Sequence, residues 1–476
     1  MLILAALLLT QAAPAEYQTR QVEGWTVKVS QDLQKKMPTE TAKALQILAK
    51  QLAEVKEVVP PAAVQKLTKV TLWFSPDYEG GPPGAAYHPG RQWLVDNKRN
   101  PDMAQAIEFY NIGIFEKETR RMPAFVLHEL AHAYHHQFLE GGFENGEIRA
   151  AWQKAKESRG YEIVERQDSE GVRTRGSAYA MTNQMEYFAE LTEAWFASND
   201  FFPFNWTELK QHDPTGEQMI RKAWGISTVS AVPLSLPNRQ FYMKFADAGI
   251  PVVASEKVND YALKEAAFLI DKMIGHRPEL VKAMALSGSR FAIKGIKEFT
   301  TDIPEYAWLT PKEFWDKRAR GLGGSDTDPL CSCGEENLLN YPGDPYSTEN
   351  ILIHEFAHSV HLRGMKRVDP AFDGRLKAAY DASMAKGLWA KTYAAENYAE
   401  WFAEGTQSWF NTNREADSIH NHVNTRAELK AYDPALAAFC EEVYGDLPWR
   451  YSRAVNRLKG HLGGYDPSKA PKFVWP

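Results

Sequence analysis

The most constraining feature of the chain is that it repeats itself. Gly24-Trp25-Thr26-Val27 and Gly249-Ile250-Pro251-Val252 stand 225 positions apart (249 minus 24), and His128 and His354 stand 226 apart (354 minus 128). Further on, Tyr179-x-x-x-Asn183-x-x-Glu186-Tyr187-Phe188-Ala189-Glu190 recurs as Tyr393-x-x-x-Asn397-x-x-Glu400-Trp401-Phe402-Ala403-Glu404. Trp195-Phe196 then matches Trp409-Phe410, and Glu208-Leu209-Lys210 matches Glu428-Leu429-Lys430. A register kept over that distance predicts two tandem domains of similar fold, each of about 220 residues. Their expected bounds are 16–240 and 241–476, with the junction inside Thr228–Ala246, where Pro233 and Pro237 interrupt any periodic pattern.

Each half contains His-Glu-x-x-His, as His128-Glu129-Leu130-Ala131-His132 and His354-Glu355-Phe356-Ala357-His358. Apolar, helix-compatible residues lead into both copies. On a helix, residues i and i+4 share a face with Cβ atoms about 6 Å apart, so two imidazoles can reach one metal ion while the intervening Glu faces the attacking water. The pattern is a zinc-peptidase signature, and its occurrence twice predicts one Zn2+ per domain and two per chain. In each half a strand signal (Trp25–Ser30; Val252–Ser255) precedes a long helical period (Thr41–Val58; Tyr261–Ile274), and a second strand signal (Val70–Phe74; Arg290–Lys294) follows. Irregular Gly/Pro-rich stretches, Asp77–Gly90 and Pro311–Asp344, then lead to the His-bearing helix. This order fits an α+β class, with two tandem zincin-like domains, each having a small mixed sheet packed on helices and an edge strand open to an extended substrate.

Catalytic zinc takes three protein groups and leaves one position open. The extended form of the motif would need Gly and His at 135 and 138, which hold His135 and Phe138. A Glu from a following helix is the other solution, and Glu186 and Glu400 supply it at separations of 54 (186 minus 132) and 42 (400 minus 358). The competing reading of Asn183-x-x-Glu186 and Asn397-x-x-Glu400 is a helix capping box. Glu190 and Glu404, four residues on, are expected to accept the outer N–H of a zinc-bound imidazole. His135 and His361 read as packed residues rather than ligands, and His136 as a surface residue.

The run from the His helix through Tyr-x-x-x-Asn-x-x-Glu-aromatic-Phe-Ala-Glu resembles the catalytic domain of the anthrax lethal factor family of gluzincin metallopeptidases, over about seventy residues per half. The resemblance implies His128, His132 and Glu186 as one ligand set and His354, His358 and Glu400 as the other. It also implies Glu129 and Glu355 as general bases, with Tyr179 and Tyr393 as oxyanion stabilisers. The expected activity is that of a zinc metalloendopeptidase acting on a protein or peptide substrate. A zinc hydrolase of non-peptide amides, and a metal-binding interaction protein with silent sites, are the alternatives.

A net charge of -6 and a pI near 6.2, without a long basic run, argue against a nucleic-acid partner. No segment is long and apolar enough for a membrane span. Met1–Ala15 reads as a secretory signal peptide with cleavage after Ala15, which places the protein outside the cell or in the periplasm. Cys331, Cys333 and Cys440 allow at most one disulfide, and a thiolate from Cys331-Ser332-Cys333 capping the second zinc is the minor alternative.

Overall fold

The computed structural model describes residues 16–78, 82–415 and 417–476, so the expected signal peptide, Met1–Ala15, lies outside the described residues. By contacts the chain divides into two units: residues up to Ile226 with Pro233–Ser235, and Ser227–Val232 with Leu236–Pro476.

In the first unit, Tyr17–Val22 (β1) and Trp25–Ser30 (β2) form an antiparallel hairpin. Glu23 and Gly24 turn it with positive φ (53° and 98°), and Gly tolerates that backbone because it lacks a Cβ. The burial of Trp25, Val27 and Val29 gives β2 one core-facing side. The helix Pro38–Val58 (α1) starts with proline at its first position and buries Ala44, Leu48, Leu52 and Val55 at helical spacing. Leu72–Phe74 (β3) pairs parallel with β2 and with Ala106–Phe109 (β5), and Ala85–His88 (β4) closes the sheet antiparallel to β5. The strand order is β1-β2-β3-β5-β4, which leaves β4 at an edge. The helices Phe125–Phe138 (α2) and Gln184–Phe196 (α3) bear His128, His132 and Glu186.

In the second unit Ser230–Ala231 (β6) and Lys244–Asp247 (β7) precede Pro251–Ala254 (β8), Arg290–Lys294 (β9) and Leu330–Gly334 (β10). The order is β10-β9-β8-β7-β6, with β8, β9 and β10 mutually parallel and β6 to β8 antiparallel. Leu322 makes an antiparallel bridge on the outer side of β10, through Ser332. Asp260–Ile274 (α4) lies on the sheet and buries nine of its residues. Ile351–Ser359 (α5) and Tyr398–Trp409 (α6) are the counterparts of α2 and α3.

The Gly/Pro-rich stretches are more structured than their composition indicates. The first contains β4, and the second contains a helix over Lys312–Arg318 as well as β10. All five residues of β10 are buried, so covering on both faces erases the alternation by which a strand is recognised. The Gly/Pro/Lys-rich tail from Gly460 to Pro476 packs onto the second unit. Leu462 and Phe473 are buried, and Phe473 N–H donates to Pro342 O. No helix among the described residues is long and apolar enough to cross a membrane.

Candidate metal centres

Residues α2 and α3 bring together are far apart in sequence. Asn183 caps α3, its Oδ1 accepting from Met185 N–H and Glu186 N–H, both at 2.9 Å. The Glu186 carboxylate does not turn back to the cap. It meets α2, with Oε2 3.2 Å from both His128 Nε2 and His132 Nε2, while the two Nε2 atoms are 3.2 Å apart. Asn397 caps α6 in the same way, and Glu400 Oε2 lies 3.1 Å from His354 Nε2 and 3.4 Å from His358 Nε2. The capping-box reading fails in both units, because the Asn caps and the Glu faces the histidines.

These triangles fit a cation. Three donors each 2.0–2.1 Å from a tetrahedral ion lie about 3.3 Å from one another. Without positive charge between them, two imidazole Nε2 atoms turned to each other and to a carboxylate would be poorly satisfied. Two His and one Glu, with a side open to a cavity, match the donor set of hydrolytic zinc.

The partner of the outer imidazole nitrogen differs from expectation. His128 Nδ1 lies 2.7 Å from Glu193 Oε1 but 4.0 Å from Glu190. His354 Nδ1 lies 2.9 Å from Gln407 Oε1 and 3.5 Å from Glu404. The facing helix is met first by Nε2, at Glu186 or Glu400, and Nδ1 then reaches two turns further along it rather than one. Glu190 and Glu404 sit beside this contact, each held by an Asn: Asn199 Nδ2 donates to Glu190 and Asn413 Nδ2 to Glu404, both at 3.1 Å. Glu193, Gln407, Asn199 and Asn413 escaped the sequence reading. The 214-residue offset of Asn183 and Asn397 would have paired them (407 minus 193; 413 minus 199).

Each triangle opens on a cavity. The first, of about 440 Å³, is lined by His128, Glu129, Tyr179, Glu190 and, from the β4 side, Gly84 and Ala85. The second, of about 340 Å³, is lined by His354, Glu355, Tyr393, Glu404 and Gly321. A Cβ on Gly321 would lie 2.4 Å from Glu355 Oε1, so glycine is required for that backbone to approach the carboxylate. Glu129 Oε2 has no protein partner. Burial pushes the carboxyls of Glu129 and Glu355 up, against the pull of the neighbouring histidines. Burial also opposes ionisation of Glu186 and Glu400, but hydrogen bonds from the paired histidines win and hold both well below the usual carboxylate range. Tyr179 is 46% exposed, whereas the Tyr393 ring packs 6.1 Å from that of His354. Burial, and then Glu186 or Glu400, raises both phenols, so they stay protonated as donors.

The remaining candidates are structural. His135 is fully buried against Phe143 and Phe188 and held down to about 3 by burial. His361 Nε2 pairs with Asp373 at 2.8 Å. His136 is half-buried, not superficial, with Nδ1 2.7 Å from the Tyr87 hydroxyl. The three cysteines are free and buried, so no disulfide forms. Burial raises all three thiols, and none of them joins the metal-sized groups of side chains among the described residues.

No protein-family model matches the chain, and no curated protein matches it. Among solved structures, the PRO-PRO endopeptidase (PPEP-2) from Paenibacillus alvei aligns at 18% identity over 40% of this chain and 97% of that one, with a TM-score of 0.29. That superposition is too slight to assign fold or activity. The likeness to the lethal factor family therefore rests on motif alone.

Proposed function

We propose that the chain is a zinc metalloendopeptidase with two zincin-like catalytic centres, His128-His132-Glu186 and His354-His358-Glu400. The observation that carries this reading is the recurrence, in both units, of a zinc-sized donor triangle beside a cavity-lining Glu and Tyr. Zinc, when bound, supplies a Lewis acid for the scissile carbonyl and acidifies the attacking water. Glu129 or Glu355 takes that water's proton and returns it to the leaving amine, a role suited to a buried carboxylate whose affinity for protons is raised. Tyr179 or Tyr393 donates its phenolic hydrogen to the developing oxyanion. An extended peptide can add to the outer edge of β4 in the first unit, where Gly84 and Ala85 flank the cavity.

The deciding experiment is cleavage of a proteome-derived peptide library by wild type and by Glu129→Gln with Glu355→Gln. Loss of one general base costs on the order of 10² to 10⁴ in rate, so the double variant should retain zinc and lose turnover. Peptide cleavage at the wild-type rate by that variant removes the assignment.

A further inference from the structure

Behind the two donor triangles, the 214-residue offset aligns three positions, two of which differ in character between the units. In the first unit they are Glu190, Glu193 and Asp200, three carboxylates. In the second they are Glu404, Gln407 and Arg414: one carboxylate, one neutral amide and one guanidinium. The nearest ion-pair partners are also exchanged. Arg121 Nη1 donates to Asp200 at 3.0 Å in the first unit, whereas Glu349 receives Arg414 in the second. With these partners the formal charge is -2 in the first unit (three acids, one Arg) and -1 in the second (two acids, one Arg). Arg166 Nε, itself buried, also approaches Asp200, at 3.6 Å, and counting it evens the formal charge at -1 in both units, so what separates them is the group that meets the histidine. In the second unit His420 stands 3.9 Å from Glu404, and the field of buried Lys294 reaches Glu355.

The contact made with the histidine differs in kind. Glu193 offers His128 Nδ1–H a carboxylate, and its other oxygen has no hydrogen-bond partner. One oxygen of Glu190 and one of Asp200 are likewise buried and unpartnered. Gln407 offers His354 an amide oxygen whose orientation is set by its own donors, Nε2 giving hydrogen bonds to Glu349 Oε2 (3.1 Å) and Asn350 O (3.2 Å). A carboxylate on the outer N–H raises the basicity of the metal-facing nitrogen, and a neutral amide does so less. Buried acid oxygens without partners further favour positive charge nearby, and those of the first unit have no equivalent at positions 407 and 414.

We infer that the two centres have diverged in metal retention: the first, backed by Glu193, holds its divalent ion tightly, and the second, backed by Gln407, is the exchangeable site. This rests on the two-centre zinc reading above. In both units the outer partner acts through the histidine, so Glu193 and Gln407 are positioning residues whose identity sets ligand strength.

The test is competition for Zn2+ between the full-length protein and a chromophoric chelator, in wild type, His128→Ala, His354→Ala, Glu193→Gln and Gln407→Glu. Wild type should release zinc in two steps at least tenfold apart, with the tight step surviving in His354→Ala and lost in His128→Ala. Glu193→Gln should weaken the tight step by about 10- to 100-fold, and Gln407→Glu should strengthen the weak one. If Glu193→Gln fails to fold, the opposite shift in Gln407→Glu decides. A single step in wild type, or a tight step belonging to His354, overturns this inference while leaving two zinc centres standing. Failure of both alanine variants to lose an ion overturns the metal reading itself.

Discussion

The two centres share a donor triangle but not its support. α2 contains no cap of its own: Gln51 of α1 accepts from Val126 N–H at 2.9 Å and donates to Pro123 O at 3.1 Å. α5 is capped locally by Asn350, which accepts from Ile353 N–H, and it runs on into a π-helical turn over Val360–Met365. Behind the histidine stands a carboxylate in one unit and an amide in the other. The i, i+4 spacing and an Asn-capped Glu helix are enough to place the three donors, so helix starts, continuations and buried charges are free to vary around them.

The largest expected effect removes a donor. Purified wild type should contain two zinc ions per chain by elemental analysis, and His128→Ala and His354→Ala one each, because two remaining ligands are too few for a catalytic zinc site. One ion in wild type would reduce the comparison to a single working centre, and the variant that loses it would name which.

Exchanging the phenols sharpens the comparison next. Loss of one oxyanion donor costs about 10²- to 10³-fold in kcat. Tyr179→Phe should be assayed in the Glu355→Gln background and Tyr393→Phe in the Glu129→Gln background, so that each centre reports alone. Tyr393 is already packed against His354, whereas the half-exposed Tyr179 must order around substrate. The larger loss is therefore expected for Tyr393→Phe, with metal content unchanged in both. Equal activity of either Phe variant and its parent would remove that Tyr from the mechanism.

What the sequence made legible follows periodicity. β2 and β9 lie where the apolar runs put them, and α1 and α4 begin within three residues of the expected start. His128, His132 and Glu186 meet, as do His354, His358 and Glu400, because a motif that recurs at two different loop lengths marks residues tied to each other rather than to the loop. The outer partners were not legible. Glu190 and Glu404 share a face with Glu186 and Glu400, but only the crossing of the two helices puts Glu193 and Gln407 at Nδ1. Gln51 as a cap was invisible for the same reason, since it acts on a helix 75 residues away (126 minus 51).

The smallest effect is a pH dependence of the metal-free protein. Burial alone would depress His354, but the hydrogen bond with Glu400 and the fields of Glu355, Glu400 and Glu404 carry it up to about 10. Burial likewise opposes protonation of His128, and the hydrogen bonds with Glu186 and Glu193 overcome it, raising it well above the ordinary range. A histidine with a raised folded value contributes stability that is full below its unfolded value, about 6.5, and is lost as pH rises through the folded value. Carboxyls raised by burial, such as Glu190 and Glu404, act in the same direction. Glu186 and Glu400, held low, lose their contribution only in acid, outside this window. Zinc replaces those histidine protons, so the loaded protein escapes the loss. The gap in Tm between zinc-loaded and chelated protein should therefore widen between pH 6.5 and about 10. Glu193→Gln, which weakens the hold on a proton at His128, should narrow it. A gap that is flat across this range would mean that His128 and His354 are neutral without metal, and that the carboxylates facing them do not distinguish the two centres by charge.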